Sequence, residues 1–367
     1  MDDTPQTEPG LQEVNDSLYR QGATDGLPVV PPTEERVEEM LRGTDLPRDH
    51  EIGTLGNREG SLTVEKLATN AVMSGCTPIH MPVLIAGAEA LADPSSQSIQ
   101  FSVSVGSYGY FWLVNGPVRE DIDVASNTGA FGPNYRANRA IARALGLAYK
   151  NTALIHPGEK DMAVMGSPCK YSFLGGENEE DSPWEPYHVT HGYDEDESTI
   201  TLGGAKSLVQ FVPYSMDPKG VLKGMRYNTT PDMIGAASET HTKTVIYLLS
   251  PYNAQELGDA DISKREVKEY LCNNSNVPYP EFRSGLVIPD EAVGEPVMPE
   301  KVSRLQYPQF ESPEHVKIAV VGGAGRFSGV TRTMGPMTTK KIHLPDNWEE
   351  LCETYREERS WGERRGQ

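Results

Sequence analysis

The stretch IQFSVSVGSYGYFWLVNGPV, residues 99–118, alternates apolar and polar residues at first and then becomes continuously apolar. Alternation is the mark of a strand with one wet face, and an unbroken apolar run is that of a strand buried on both. Two strands joined through Gly106–Gly109 are therefore expected. HVKIAVVGGAGRFSG, residues 315–329, has the same character, a central strand running into a glycine loop. The segments around them carry helical spacing. In LTVEKLATNAVMSGC, residues 62–76, Val64, Leu67, Ala68, Ala71 and Val72 share one face and Gly75 stands where a helix stops. Pro82 then opens VLIAGAEALA, apolar nearly all round. SNTGAFGPN, residues 126–134, is a glycine-punctuated loop before an Ala-rich helix from Tyr135 to Lys150. Strands and helices interleave, so the expected fold class is α/β or α+β, a mixed sheet covered by helices in two closely packed lobes.

The divisions expected are a polar arm over 1–26, a lobe over 27–165 holding Cys76 and the Arg136 helix, a second lobe over 166–345 with an acidic loop and the glycine-rich turn, and a C-terminal helix over 346–367. Thr33 reads as an N-cap, and Ser263 with Glu266 as a capping box. Residues 166–197 are loop-like, short strands are expected at 198–202, 207–213 and 245–249, and the five prolines of 285–315 suggest a linker or strap. No internal repeat is visible in the letters.

Asp and Glu number 53 against 33 Lys and Arg in the 367 residues, a formal charge of −20. That balance disfavours nucleic acid and an anionic membrane surface as partners, since both require a basic face. No run of 18 apolar residues is present, and MDDTPQTEPG lacks the character of a secretory signal. Cys76, Cys169, Cys272 and Cys352 are far apart, with no C-x-x-C pair, which suits a reducing cytoplasm. Only 14 of the 33 basic residues are lysines, a balance expected of a halophilic protein.

Four constellations could carry chemistry. Cys76 stands before the N-terminus of a helix, where backbone N–H groups favour a thiolate, with His80 as proton partner; as a small core hydrophobe it would do neither. Glu185, His188 and His191, spaced i, i+3, i+6, offer a carboxylate and two imidazoles, a set that zinc or iron accepts, or else cap a loop over aromatics. Glu177, Asn178, Glu179 and Glu180 just upstream are either a solvated acidic loop or further carboxylates for that site. Arg136, Arg139 and Arg143 share a helix face near a glycine-preceded N-terminus, with Asn127, Asn134 and Asn138 nearby, a place for an anion or a set of structural ion pairs. GGAGRFSG, residues 322–329, could cradle an anion with its backbone or be a plain tight turn, and its glycine spacing is not the dinucleotide fingerprint.

Several strings stand here in order: DGLPVVPPTEERVEEML, TVEKLATNAVMSGCTPIHMPV, LVNGPV, SNTGAFGPNYRANRAIARALGL, HPGEKDMAVMGSPCKYSF, ENEEDSPWEPYHV and GGAGRFS. In these the chain, from about Asp25 to His343, resembles the poorly characterised proteins associated with UGSC-type selenoproteins. The resemblance implies functional weight for Asn70, Cys76, Asn115, Arg136, Asn138, Glu177, Asn178, Trp184, Glu185 and His188. His191 and Cys169 depart from the pattern. The C/U-G-S-C redox string is absent, Ser74-Gly75-Cys76 being nearest, which removes the basis for a thiol–disulfide role.

The expectation is a cytoplasmic, homo-oligomeric enzyme of lyase or hydrolase type acting on a small anionic substrate. Asn115, Asn134, Arg136, Asn138 and Arg139 would bind it. Cys76, Glu185 and His188 would supply nucleophile and acid–base chemistry, or hold a divalent transition metal; no NAD, flavin or ATP signature is present. The alternative is a non-catalytic subunit that binds a partner protein or a metal or selenium species. The charge of −20 predicts a falling melting temperature as salt drops below about 1 M, where screening length exceeds roughly 3 Å. A melting temperature unchanged in dilute buffer would reject the halophilic reading.

Overall fold

Every second residue of the apolar strands faces a different core, and that alternation shapes the molecule. A computed structural model describes residues 10–56, 60–233, 243–278 and 306–355. The helices are α1 Leu11–Arg20, α2 Glu34–Leu41, α3 Val64–Ser74, α4 Met81–Ala92, α5 Ser98–Val103, α6 Val118–Asp121, α7 Arg136–Ala153, α8 Pro218–Met233, α9 Pro251–Gly258, α10 Lys264–Asn274 and α11 Trp348–Tyr355. The strands are β1 Glu51–Leu55, β2 Gly60–Thr63, β3 Gly109–Asn115, β4 Leu174–Gly176, β5 Thr199–Ala205, β6 Val209–Phe211, β7 Lys243–Leu249, β8 Asn276–Pro278, β9 Gln306–Pro308, β10 Val316–Val320 and β11 Ser328–Lys341. β1 pairs with β2 and β8 with β9; the other seven form one mixed sheet in the order β10-β7-β11-β5-β3-β4, with β6 also on β11. The fold is α/β, as the interleaving of elements implied.

The order of that sheet contains a duplication that the letters conceal. β3 and β4 are parallel, and β3 pairs antiparallel with β5. β7 and β10 are likewise parallel, and β7 pairs antiparallel with β11. β5 and β11 then meet antiparallel at the centre. Each half is thus strand, helices, parallel outer strand, antiparallel inner strand, and the two halves are related by a pseudo-twofold axis through the β5–β11 pair. The correspondence reaches single bonds: Glu177 N donates to Val114 O after β4, as Val321 N donates to Leu249 O after β10.

Burial follows the same plan. Trp112 and Val114 of β3 pack with α3, α4 and α7 in one cluster, while Val245, Tyr247 and Leu249 of β7 pack with Val267 and Leu271 of α10 in a second. The opposite faces, through Phe111, Leu113, Ile246, Leu248, Ala319 and Val321, join a third cluster shared by both halves inside the curl of the sheet. A strand buried on both faces needs apolar residues at consecutive positions, which explains the unbroken runs.

Several expectations change. Ser98–Val103 is a helix, not a strand: Ser102 Oγ donates to Ser98 O at 2.7 Å and Phe101 is buried, so tertiary packing overrides the alternation. Val316–Val320 is an edge strand rather than a central one. α8, α9 and the 14-residue β11 carried no clear signal in the letters, and β11 is irregular between Met334 and Thr338. Thr33 stands at the N-cap position, and the Ser263–Glu266 capping box is formed. Gly75 ends α3 at φ +80°, where a side chain is strained. Most of the proline-rich segment 285–315 lies outside the described residues.

Asn138 ties the first half together. Its Oδ1 accepts from Ala125 N at 2.9 Å, and its Nδ2 donates to Ala125 O, Ala130 O and Leu174 O at 3.0, 3.1 and 3.3 Å. Asn138→Ala orphans these buried groups and is expected to lower stability by about 3 kcal/mol, read from urea unfolding. A loss below about 1 kcal/mol would show that water replaces the amide.

Candidate active site

The outer edges of the curled sheet meet at their carboxyl ends. Asn178 N donates to Val320 O at 2.7 Å, and Gly322 N donates to Ser126 O at 2.8 Å. Into this seam β4 delivers Glu177, fully buried. Its Oε2 accepts from Asn115 Nδ2 and from Tyr187 N, both at 2.6 Å, and its Oε1 accepts from Val320 N at 3.2 Å. Lys264 Nζ stands 3.6 Å from Oε1 and donates to Glu185 O at 2.7 Å. A buried carboxylate is tolerable only with such a set of donors and a counter-charge.

Glu179 lies one step outward. Its Oε1 accepts from Asn115 Nδ2 at 2.8 Å and Gly116 N at 2.9 Å, and its Oε2 is 3.0 Å from Arg119 NH2. Arg119, on α6, also donates to Glu177 O at 2.6 Å and Glu180 Oε1 at 2.8 Å. Burial opposes its charge, but Glu180, Glu179 and Glu177 outweigh it and raise the guanidinium pKa.

His188 sits beneath Glu179, wholly buried, its Nδ1 3.9 Å from Glu179 Oε1. Neither ring nitrogen has a hydrogen-bond partner among the described residues. Asn115 Oδ1 and Thr199 Oγ1, on residues paired across β3 and β5, are likewise buried and unpartnered. Unpaired buried polar atoms in one place mark a spot for water or substrate. Glu179, which neighbours these atoms, also lines a cavity of about 590 Å³ together with Arg119, Glu180, Trp184 and Glu185 among others.

The structure therefore gathers Asn115, Glu177, Asn178 and His188, with Glu185 on the cavity wall. Of the four acidic-run residues, Glu177 and Glu179 enter the site while Glu180 stays half-exposed. Cys76 is a correction. It is buried in the cluster around α3 and α7, and burial pushes its thiol up to about 12 against the attraction of Arg136 and Arg143, which disfavours a thiolate there. His80 is no base for it: its Nδ1 accepts from Thr77 N at 3.1 Å, and burial lowers its pKa to about 3.

The metal set of Cys76, Glu185 and His188 is not assembled. Among the described residues no three His, Cys, Asp or Glu side chains could hold an ion together. Glu185 is exposed while His188 is enclosed, and Cys76 belongs to the helical core.

The arginine face is also a correction, because backbone carbonyls and one aspartate occupy it. Arg136 Nε donates to Gly75 O at 2.9 Å. Arg139 donates to Phe131 O, Ser172 O, Ala130 O and Leu174 O, and Arg143 pairs with Asp25 at 2.8 Å. Asn138 is the internal clamp described above, and Asn134 is an exposed loop residue at φ +83°.

Arg119 and Lys264 had no assigned role in the sequence. One signal was present for the last: Lys264 and Arg265 stand in the first turn of α10, where the helix dipole repels cations. A comparison with protein-family models finds no match, and no curated protein matches the chain. Among the described residues no helix is long and apolar enough to cross a membrane.

Two outcomes follow. Cys76 is expected to resist iodoacetamide at pH 8 in the native state and to react once unfolded; rapid native alkylation would contradict its burial. His80 and His191 are held at about 3 and about 4, His191 by burial and the neighbouring Lys317. Both bind a proton more readily when unfolded, so the stability they contribute is full above about pH 6.5 and lost as pH falls towards 4, by up to ~1.4 kcal/mol per pH unit for each. His80→Gln should flatten that slope in urea titrations, and an unaltered slope would remove His80 as its source.

Proposed function

We propose that the protein is an enzyme of lyase or hydrolase type in which Glu179 and His188 move protons to and from a small substrate held over Arg119. The observation that carries this reading is His188: fully buried, both ring nitrogens unpartnered, and 3.9 Å from a carboxylate oxygen. A histidine kept only for packing would satisfy at least one nitrogen. A general acid–base needs a free nitrogen facing the reacting group and a partner that sets its orientation, and such groups tighten their contacts when substrate arrives.

Glu177 acts at one remove in this scheme. It fixes Asn115, which shares its amide between Glu177 and Glu179, and so aims the Glu179 carboxylate. Asn115 Oδ1 and Thr199 Oγ1 are the uncharged contacts left for substrate or for an attacking water. The carboxylates of Glu180, Glu185 and Glu195 around the opening favour a substrate whose inserted end is cationic or hydroxyl-bearing. The thiol-assisted version is not retained, because Cys76 is buried in the helical core away from Glu179 and His188, and that burial disfavours its thiolate.

The test is turnover of a panel of small amines, hydroxy acids and esters by wild type and three variants. His188→Asn and Glu179→Gln are each expected to lower kcat by about 10² to 10⁴ with little change in melting temperature. Cys76→Ser should leave kcat within about twofold. Turnover that survives His188→Asn would overturn the assignment.

A further inference from the structure

On the other side of the Trp184–Glu185 segment lies a second cavity, of about 800 Å³, whose wall carries Lys264, Arg265 and Lys268 as well as Glu185, Glu269 and Glu314, beside Trp184 and Thr190. Beside it, on the edge strand β10, Lys317 Nζ stands 3.1 Å from His191 Nε2, and His191 Nδ1 is 2.7 Å from Tyr187 O. An ammonium can only donate and a carbonyl can only accept. The ring is therefore the neutral Nδ1–H tautomer, and it stacks on Tyr187 with centroids 4.0 Å apart.

The cations here are unevenly matched. Lys264 has the buried Glu177 as counter-charge, and Arg265 pairs with Glu269 at 2.8 Å. Lys268 and Lys317 form no ion pair among the described residues, in a chain with 53 acidic side chains. Both are half-buried, Lys317 is repelled by Lys268, and Lys268 by Lys264. Exposed Glu314 attracts both, yet burial and repulsion still lower their pKa values. Half-buried like charges beside an open cavity are costly unless something of opposite sign arrives.

We propose that Lys268 on the wall of this cavity, with Lys317 at its margin beside His191, holds a small oxyanion, a phosphate or carboxylate group, next to Trp184 and Thr190. The inference is independent of the chemistry assigned to Glu179 and His188. It also places an anion where the arginine face on α7 does not.

Calorimetric titration of the full chain at fixed ionic strength tests it, with inorganic phosphate and malonate as separate probes. At least one probe should bind, and the tighter of the two identifies the group as phosphate or carboxylate. Lys268→Met and Lys317→Met should each weaken that binding by roughly tenfold or more. Lys317→Arg should retain it, and Lys219→Met, which removes one exposed charge on α8, should leave it unchanged. Should Lys317→Met lose its far-UV circular dichroism, Lys268→Met and Lys317→Arg decide the matter. No binding of either probe at millimolar concentration, or equal affinity in wild type and Lys268→Met, would overturn the proposal.

Discussion

The Glu177 carboxylate is the constraint on which the remaining architecture rests. A curled sheet with two free edges must satisfy the backbone groups along them, and here the edges close on each other at 177–178 and 320–322. Glu177 binds three partners at that closure, from β3, from the segment before His188, and from β10. Such a group cannot be released singly, because each donor left behind would be buried and unpaired. The charge also requires Lys264, which in turn places the start of α10 against the seam despite an unfavourable helix dipole.

Pseudo-twofold symmetry explains why one junction became polar and its counterpart did not. The position after β4 that holds Glu177 corresponds to Val321 after β10, and the Asn115 position corresponds to Ser250. In the second half these positions sit beside glycines, with a cavity of about 490 Å³ between the loops 128–132 and 321–329. A Cβ on Gly323 would lie 1.9 Å from Thr128 Oγ1, so the two loops touch only because that residue is glycine. Both cavities lie at the carboxyl ends of parallel strands, the usual place for a ligand in α/β sheets. Only the first gathers titratable side chains.

Parts of the site were legible in the letters and parts were not. His188 and Glu185 stood out because imidazole and carboxylate fell at short spacing; the structure puts Glu185 on the cavity wall and His188 behind it, 3.9 Å from the wall residue Glu179. Asn115, Glu177 and Asn178 were singled out through quoted strings, and they meet at the seam. Arg119 was invisible: a lone arginine in VRED reads as a surface charge, and its burial comes from the carbonyls of residues 116 and 177. The arginines of α7 misled for the converse reason. Their spacing does put them on one side of a helix, but most of the groups that take them up come from distant residues, Gly75 61 positions back, Asp25 118 back, and Ser172 and Leu174 33 to 35 ahead.

Local sequence by itself determined the helices α2, α3, α4, α7 and α10, the ends at Thr33, Gly75 and Ser263, and the doubly buried strands β3 and β7, because these depend on patterns within a dozen residues. It also determined the acid excess and the absence of a thiol pair. Tertiary structure alone decided that Ser98–Val103 is helical, that β10 lies at an edge, that the two halves share one topology, and that Cys76 is buried in the core. Each of these depends on which distant segment supplies a hydrogen-bond partner or removes water, and no pattern within a segment carries that information.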